Sequence, residues 1–527
     1  MNIHEESQRC LLCENAPCSQ ACAHGDPARA VRAIRFDNFH AAGQWLLPCT
    51  DRDLQAAEQA CIHYDRPIRL RELRDAYKQQ RKQRLDNQLP RPASFIPVYP
   101  DLSGTSRDGE GDRGRGENTL LDSLPSLAID FCGIPCENPF FLASSAICTN
   151  YEMVARAFDA GWAGVFYKTI SLQDIREVSP RFDAMHTNAA KGDFYTLRNM
   201  EQLSENPAEV DFDILARLKQ NYPSKVIVAS IMGQTEEEWI TLAKMAEKAG
   251  ADAVELNFSC PQMRLAGMGS DVGQNAELVT FYTAYVKRNV SIPVIPKMTP
   301  NITHITEPAM GAFFAGADAI SAINTIKSVT MSPRAEVADR RTISGLSGRA
   351  VKPIALRFIV EMAKNPLMKN IQFSGIGGIE TWRDALEFIQ LGCRNVQVCT
   401  AVMQYGYRII DDLTLGLQLY MSARGLARVE QLVGEELPSF VTPIDLDRET
   451  MVFPKIDRTR CVGCGRCYIS CADGGHQAIT FDADRRPHIV GIKCVGCHLC
   501  RLVCPTGAIE AAQRMPKHQL PRTSDPT

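Results

Sequence analysis

Eight cysteines near the end of this 527-residue chain constrain its fold more than any other feature. Residues 461–471 read CVGCGRCYISC and residues 494–505 read CVGCHLCRLVCP. Both runs have the spacing C-x2-C-x2-C-x3-C, and the second closes on Cys-Pro. A pair of runs like this holds two [4Fe–4S] clusters, with the fourth cysteine of each run ligating the other cluster. The spacing therefore gives Cys461, Cys464, Cys467 and Cys504 to one cluster, and Cys494, Cys497, Cys500 and Cys471 to the other. Thiolates suit such clusters because they are soft, strongly donating ligands. Zinc also takes four cysteines, but two tandem runs at this spacing favour iron. The first run has no proline after Cys471, which alters a turn and leaves the ligand count unchanged.

The chain has 20 cysteines in all. Cys10, Cys13, Cys18, Cys22, Cys49 and Cys61 form a second group at the start. Cys132, Cys136, Cys148, Cys260, Cys393 and Cys399 are scattered between. The opening MNIHEESQRC has no apolar signal region, so a cytoplasmic protein is expected. In that compartment cysteine-rich runs bind metal rather than form disulfides. No run of 18 apolar residues is present, so no transmembrane helix and no membrane partner are expected. A net charge of −3 and a pI near 6.4 argue against nucleic-acid binding.

Length and composition suggest about three domains. Residues 1–88 read as a small helical region, with periodic apolar positions in PARAVRAIRF and a basic helix in IRLRELRDAYKQQRKQRL. That basic helix reads first as a solvated face, and otherwise as a surface for an acidic partner. Residues 89–123 include DLSGTSRDGEGDRGRGENT, a composition that cannot build a core and reads as a flexible linker. Residues 516–527 read as a tail.

Residues 124–440 alternate short β-type runs with amphipathic segments. Eight runs stand out, at 140–146, 164–170, 225–231, 253–259, 293–299, 319–325, 371–378 and 395–401. Eight β/α alternations in about 300 residues argue for an α/β fold of the (β/α)8 barrel type. An open doubly wound sheet is the alternative, and the dinucleotide fingerprint that would favour it is missing. Barrel chemistry sits at the C-terminal strand ends. Those ends carry Ser144, Lys168, Asn257, Ser259, Cys260, Lys297, Asn324, Thr325, Gly377, Gly378 and Thr400. The loops after the last two strands commonly bind phosphate, and glycines there let backbone N–H groups approach it. A phosphate site together with Lys168 and Lys297 suits FMN, because a cation stabilises its reduced form. The plainer reading of each lysine is a salt-bridged barrel residue.

Long strings of this sequence carry a resemblance: ASSAICTNYEM, GWAGVFYKTI, RNMEQLSENP, VIVASIMG, ELNFSCPQM, GMGSDVGQ, PKMTPNI, AINTIKS, SGLSGRAVKPIALRFI, SGIGGIETW and CVGCGRCYISCADGGHQAI. Residues 124–515 resemble the catalytic subunits (PreA type) of bacterial NAD-dependent dihydropyrimidine dehydrogenases, and the barrel is similar to dihydroorotate dehydrogenases. The resemblance implies a dihydroorotate dehydrogenase-type barrel followed at 441–515 by a two-cluster ferredoxin domain. It implies reversible reduction of the 5,6 double bond of uracil or thymine. Cys260 is then the proton donor to C5. Asn199, Asn257, Ser259, Asn324 and Thr325 hold the pyrimidine. Ser144, Lys168, Thr169, Lys297, Gly348, Gly377, Gly378, Thr400 and Ala401 contact FMN. Chemistry agrees: a thiol is mostly protonated at pH 7 and can act as a general acid. Asparagine, with a donor and an acceptor end, can read the rim of a uracil.

Residues 7–22, SQRCLLCENAPCSQAC, resemble the N-terminal iron–sulfur domain of the partner flavoprotein subunits (PreT type). That domain usually holds two clusters, which need eight ligand positions, and residues 1–61 offer six cysteines. The resemblance implies one further [4Fe–4S] cluster on Cys10, Cys13, Cys18 and Cys61, with Cys22 and Cys49 as remnants of a second. No G-x-G-x-x-G follows a strand, so electrons are expected from an FAD- and NAD(H)-binding flavoprotein partner. Family association in a homodimer or heterotetramer is expected on the same ground. The loop after Thr325 is shorter than in the bacterial subunits, which leaves open a dihydroorotate dehydrogenase-like enzyme acting on another ring. The retained N-terminal cluster domain leaves open a second alternative, an electron-transfer scaffold without pyrimidine turnover.

Overall fold

In the computed structural model the eight apolar runs are the strands of one closed, parallel barrel. They are Phe140–Leu142, Gly164–Phe166, Val226–Ile231, Ala253–Asn257, Val294–Lys297, Ala319–Ala322, Gln372–Ile376 and Cys393–Val398. Each strand pairs with its successor, and the last closes on the first, Val396 to Val398 lying opposite Phe140 to Leu142. Closure excludes the open sheet. The strands read as continuous apolar runs because helices cover their outer faces; every residue of Val226–Ile231 is buried. The structure describes residues 2–63, 66–86, 124–186, 194–261, 263, 267–329 and 342–517. The expected linker at 89–123 lies outside these residues, as does most of the tail.

Local signals start and stop the covering helices. Thr235 caps Glu236–Lys248 through the N–H of Glu238 at 3.3 Å. Thr381 and Asp384 form a reciprocal capping box on Trp382–Gln390. Gly161, at φ +108°, ends Tyr151–Ala160, a conformation that glycine adopts without a Cβ penalty.

A second sheet has no counterpart in the sequence reading. Ile326–Ser328, Ser344–Gly348, Phe194–Asn199 and Phe182–His186 form four antiparallel strands in that order. They arise from the loops after the second and sixth barrel strands, at the end of the barrel where chemistry sits. Segments such as SGLSG lack the β-branched alternation that announces a strand.

Among the described residues six helices precede the barrel, Ile3–Gln8, Pro17–Gln20, Pro27–Arg35, Phe39–Leu46, Asp51–Gln59 and Leu70–Asp86. The basic helix Leu70–Asp86 buries Leu70, Leu73 and Tyr77 in their shared core. Its Arg74 is also buried and donates to the carbonyl of Cys49 at 3.0 Å. These helices pack on the barrel. Phe36 joins the barrel core and meets Tyr405 edge-on at 5.1 Å. Buried Asn38 donates to the carbonyl of Asp412 at 2.7 Å, and Arg32 pairs with the Asp412 carboxylate at 2.8 Å. Residues 1–438 thus make one compact unit.

The second unit is Ser439–Thr527. It has two antiparallel strand pairs, Thr450–Ile456 with Ile509–Pro516 and Ile479–Phe481 with Pro487–Ile489. Helices Arg466–Gly474 and Leu499–Leu502 follow the opening cysteines of the two runs. Each run turns through the left-handed region just before its helix, at Gly465 (φ +77°) in the first and His498 (φ +59°) in the second.

Candidate active site and metal centres

The fourth barrel strand runs into Phe258-Ser259-Cys260-Pro261. Strand side chains alternate, so Glu255 and Asn257 share the face that points into the barrel. Asn257 Oδ1 accepts from the N–H of Ser259 at 3.2 Å and from Ser259 Oγ at 2.8 Å. Its Nδ2 donates to Thr169 Oγ1 at 2.9 Å. Asn324 Nδ2 donates to Ser259 Oγ at 2.9 Å, while its Oδ1 accepts from the N–H of Thr325 at 2.7 Å. Thr169 Oγ1 also lies 3.1 Å from Ser144 Oγ and 3.0 Å from Ser230 Oγ. Ser144, Thr169, Asn257, Ser259, Asn324 and Thr325 therefore belong to one hydrogen-bonded web across four strand ends.

Asn199 reaches the same rim through the second sheet. It stands opposite Gly345 in register. Gly345 lies so close to Thr325 that a Cβ there would come 2.1 Å from Thr325 Oγ1. Asn199 Oδ1 accepts from the N–H of Glu201 at 2.7 Å. Cys260, one residue beyond Ser259, is 5% exposed. The chain returns over it at Gly269, where a Cβ would lie 2.5 Å from the Cys260 carbonyl, and the N–H of Ser270 donates to that carbonyl at 2.9 Å.

Both expected lysines are buried in ion pairs. Lys297 Nζ lies 3.4 Å from Glu255 Oε1, and Lys168 Nζ lies 3.0 Å from Glu201 Oε2. Glu255 is fully buried. Its Oε1 also accepts from Ser230 Oγ at 2.9 Å, and its Oε2 accepts from Ser321 Oγ at 2.9 Å. Gln397 Nε2 continues the network to Ser321 and Ser374 at 2.9 and 2.8 Å. Removing one partner of such a buried pair strands a charge, at about 3–5 kcal/mol. The sequence reading missed Glu255 and Glu201. A glutamate inside the apolar run AVELN, two residues before Asn257, was the available signal for the first.

Gly348, Gly377 and Gly378 have φ of +93°, +129° and +76°. A Cβ on Gly378 would come 2.8 Å from the Gly348 carbonyl and 2.9 Å from the N of Lys352; one on Gly377 would come 2.9 Å from Ala355 Cβ. Thr400 opens the short helix Thr400–Tyr405, with Ala401 buried behind it, and donates from Oγ1 to Ser347 Oγ at 2.9 Å. Thr196, opposite Gly348 in register, has a buried hydroxyl with no partner among the described residues. Backbone free of side chains beside an unsatisfied hydroxyl fits a phosphate. With two buried ammonium groups at the same barrel end, the residues fit FMN.

Three cavities bring cysteines together. One is lined by Cys10, Cys13, Cys18 and Cys61. The second is lined by Cys461, Cys464, Cys467 and Cys504, and the third by Cys471, Cys494, Cys497 and Cys500. Burial and the neighbouring Cys10 and Cys61 push the Cys18 thiol up to about 11. Burial and the neighbouring Cys494 push Cys500 up to about 11 as well. Ligands must be deprotonated to bind metal, so each set waits for a cationic core. Among the described residues no three His, Cys, Asp or Glu side chains meet closely enough to share a single ion. Cys22 and Cys49 stand apart from the first cavity, their sulfurs 3.4 Å from each other.

Comparison with known proteins agrees with this architecture. Residues 126–421, more than half of the chain, match the dihydroorotate dehydrogenase family, and residues 454–511 match the 4Fe-4S dicluster domain family. The NAD-dependent dihydropyrimidine dehydrogenase subunit PreA of Escherichia coli is 50% identical over 369 residues, covering 69% of this chain and 89% of that protein. The chloroplastic dihydropyrimidine dehydrogenase (NADP(+)) of Arabidopsis thaliana is 38% identical over 345 residues, 62% of this chain and 81% of that protein. The catalytic subunit of dihydroorotate dehydrogenase B (NAD(+)) of Thermococcus kodakarensis is 35% identical over 315 residues, 59% of this chain and 98% of that protein. No helix among the described residues is long and apolar enough to cross a membrane. Barrel, iron–sulfur unit and relatives converge: the chain belongs to the dihydroorotate dehydrogenase family of oxidoreductases, among the PreA-type catalytic subunits of dihydropyrimidine dehydrogenase.

Proposed function

We propose that this chain reversibly reduces the 5,6 double bond of uracil or thymine. The observation that carries the reading is the web of Asn257, Ser259, Asn324 and Thr169, which ends beside the buried thiol of Cys260. Uracil offers two carbonyls and two N–H groups, and asparagine amides match both kinds. Asn199, Asn257 and Asn324, with Ser259 and Thr325, hold the ring. The hydrogen bonds among them fix which amide end faces the substrate. Cys260 holds the proton for C5 at Sγ and takes it back in the oxidative direction. The covered position of Cys260 keeps water from competing for that proton.

FMN is held by Ser144, Lys168, Thr169 and Lys297, with Gly348, Gly377, Gly378, Thr400 and Ala401 at its phosphate. When bound, it supplies the hydride at C6. Glu201 and Glu255 keep the two ammonium groups oriented in a dry site. Two [4Fe–4S] clusters sit on the C-terminal sets, Cys461, Cys464, Cys467 and Cys504, and Cys494, Cys497, Cys500 and Cys471. A third sits on Cys10, Cys13, Cys18 and Cys61. The helical region 1–88, the barrel 124–440 and the iron–sulfur domain 441–515 then act together in the cytoplasm. Electrons enter from an NAD(P)H-oxidising, FAD-containing partner, because no G-x-G-x-x-G follows a strand-type run in this sequence.

A second reading, dihydroorotate oxidation, is favoured by the 35% identity to catalytic subunits that this chain covers over 98% of their length. Anaerobic titration separates the two. Purified chain, assayed for FMN and iron, is reduced with dithionite and mixed with uracil, thymine or orotate. Rapid flavin reoxidation by uracil or thymine supports the first reading. Reoxidation by orotate alone supports the second.

A further inference from the structure

The N-terminal cysteine cavity lies against the barrel, and two arginines clamp its ligand segment. Arg408 belongs to the barrel, at the turn between helices Thr400–Tyr405 and Ile409–Ala423. It donates from Nη2 to the Leu12 carbonyl at 2.5 Å and from Nη1 to the Cys13 carbonyl at 3.4 Å. Its Nε donates to the Tyr405 carbonyl at 3.2 Å, which fixes the guanidinium to the barrel. Arg35, on the helical side, donates from Nη1 to the Cys10 carbonyl at 3.2 Å. Its guanidinium lies 5.1 Å from the centre of the Tyr405 ring. Between the two, Leu12 has φ +52°, unusual for a bulky residue, and its carbonyl is the one Arg408 holds most closely.

The rest of the cavity wall is mostly apolar, including Leu11, Val31, Ile62 and Ile68, with His63 the exception. Among the described residues Arg408 has one carboxylate partner, Glu14 at 3.4 Å, whose side chain is 85% exposed. Such an exposed partner neutralises it only weakly. A cluster on four thiolates is anionic, and each electron it accepts adds one negative charge. Charge and hydrogen bonds next to the ligands set its potential.

We propose that Arg408, seconded by Arg35, is the residue by which the barrel sets the reduction potential of the N-terminal cluster. The proposal rests on the reading that Cys10, Cys13, Cys18 and Cys61 hold a [4Fe–4S] cluster. The step is a one-electron transfer: the cluster gains one electron, and the donor, a reduced flavin of the partner or dithionite in the test, loses one. The two guanidinium groups stabilise the extra negative charge.

The test is an EPR-monitored redox titration of the full-length, cluster-loaded chain, with total iron measured in parallel. The N-terminal signal is the one lost in Cys10→Ser. Arg408→Met is expected to keep wild-type iron and to lower the ratio of reduced to oxidised N-terminal cluster about tenfold at fixed potential, 59 mV for one electron. Arg408→Lys, which retains the charge, is expected to recover most of that shift. An unmoved potential in Arg408→Met at full iron overturns the proposal, as does an equal shift in the Lys and Met variants. Should Arg408→Met lose iron, Arg35→Met against Arg35→Lys makes the same comparison, and the same two results overturn the proposal. Equal iron in wild type and Cys10→Ser overturns the cluster reading, and the proposal with it.

Discussion

The N-terminal helices surround one cavity lined by four cysteines and the C-terminal unit surrounds two, and the regions are built differently. In the C-terminal unit the buried core is Cys467, Cys471, Ala478, Ile479, Ile489, Cys500 and Ile509. Three of those seven are proposed cluster ligands. In the N-terminal region Ile3, Val31, Ile34, Leu46, Leu54 and Leu73 form an apolar core, and the barrel adds Leu419. There Cys10, Cys18 and Cys61 only pack against its edge. A small unit with too little apolar surface depends on its metal for folding. The C-terminal unit should therefore fold with its clusters, whereas the N-terminal helices should fold without theirs.

Iron removal gives the largest expected effect. Anaerobic chelation should release Thr450–Ile456 and Ile509–Pro516 to rapid hydrogen exchange while Pro27–Arg35 and Phe39–Leu46 remain protected. Equal loss of protection at both ends would break the comparison. A core truncation comes next. Ile34→Ala should destabilise the N-terminal helices by about 2–5 kcal/mol, with iron in the C-terminal unit unchanged; denaturant unfolding and iron assay check it.

The two regions should differ in their pH response once metal is removed. Cys18 is pushed up to about 11 from an ordinary thiol value near 9. A raised thiol favours the protonated form in the folded state. The N-terminal helices, which fold without metal, should therefore hold this stability below pH 9 and lose it as pH rises through about 11, whereas the metal-free C-terminal unit has no folded state to titrate. The loaded protein, its ligands already deprotonated, should not follow. Thermal melts of both forms between pH 7 and 11 decide this. The smallest effect belongs to Cys22→Ala, which removes only the sulfur contact at 3.4 Å to Cys49. Stability should change by less than about 1 kcal/mol and total iron not at all. A loss of iron would make Cys22 a ligand.

The barrel was legible because parallel strands covered on both faces must be apolar along their length, and all eight runs declared themselves that way. The polar residues ending those runs were legible for the same reason: each breaks an apolar pattern. Glu255 broke one too, but its meaning depends on Lys297 on the next strand, and that pairing is non-local. Lys168 shows the same limit, since Glu201 reaches it from a loop that sequence pattern leaves shapeless. The second sheet, which carries Asn199 and Gly348, was hidden in part because SGLSG lacks strand chemistry, although FYTLRN at 194–199, with Phe, Tyr and Thr, was an available signal. The seating of the N-terminal helices on the barrel was invisible as well, since Asn38 and Asp412 meet across 374 positions.

The central claim is that pyrimidine chemistry takes place at Cys260. Its most direct test is the rate at which uracil reoxidises the dithionite-reduced flavin in wild type and in Cys260→Ala, with FMN and iron matched. Loss of a general acid predicts a rate lower by about 10²–10⁴-fold in the variant. An unchanged rate would contradict the account.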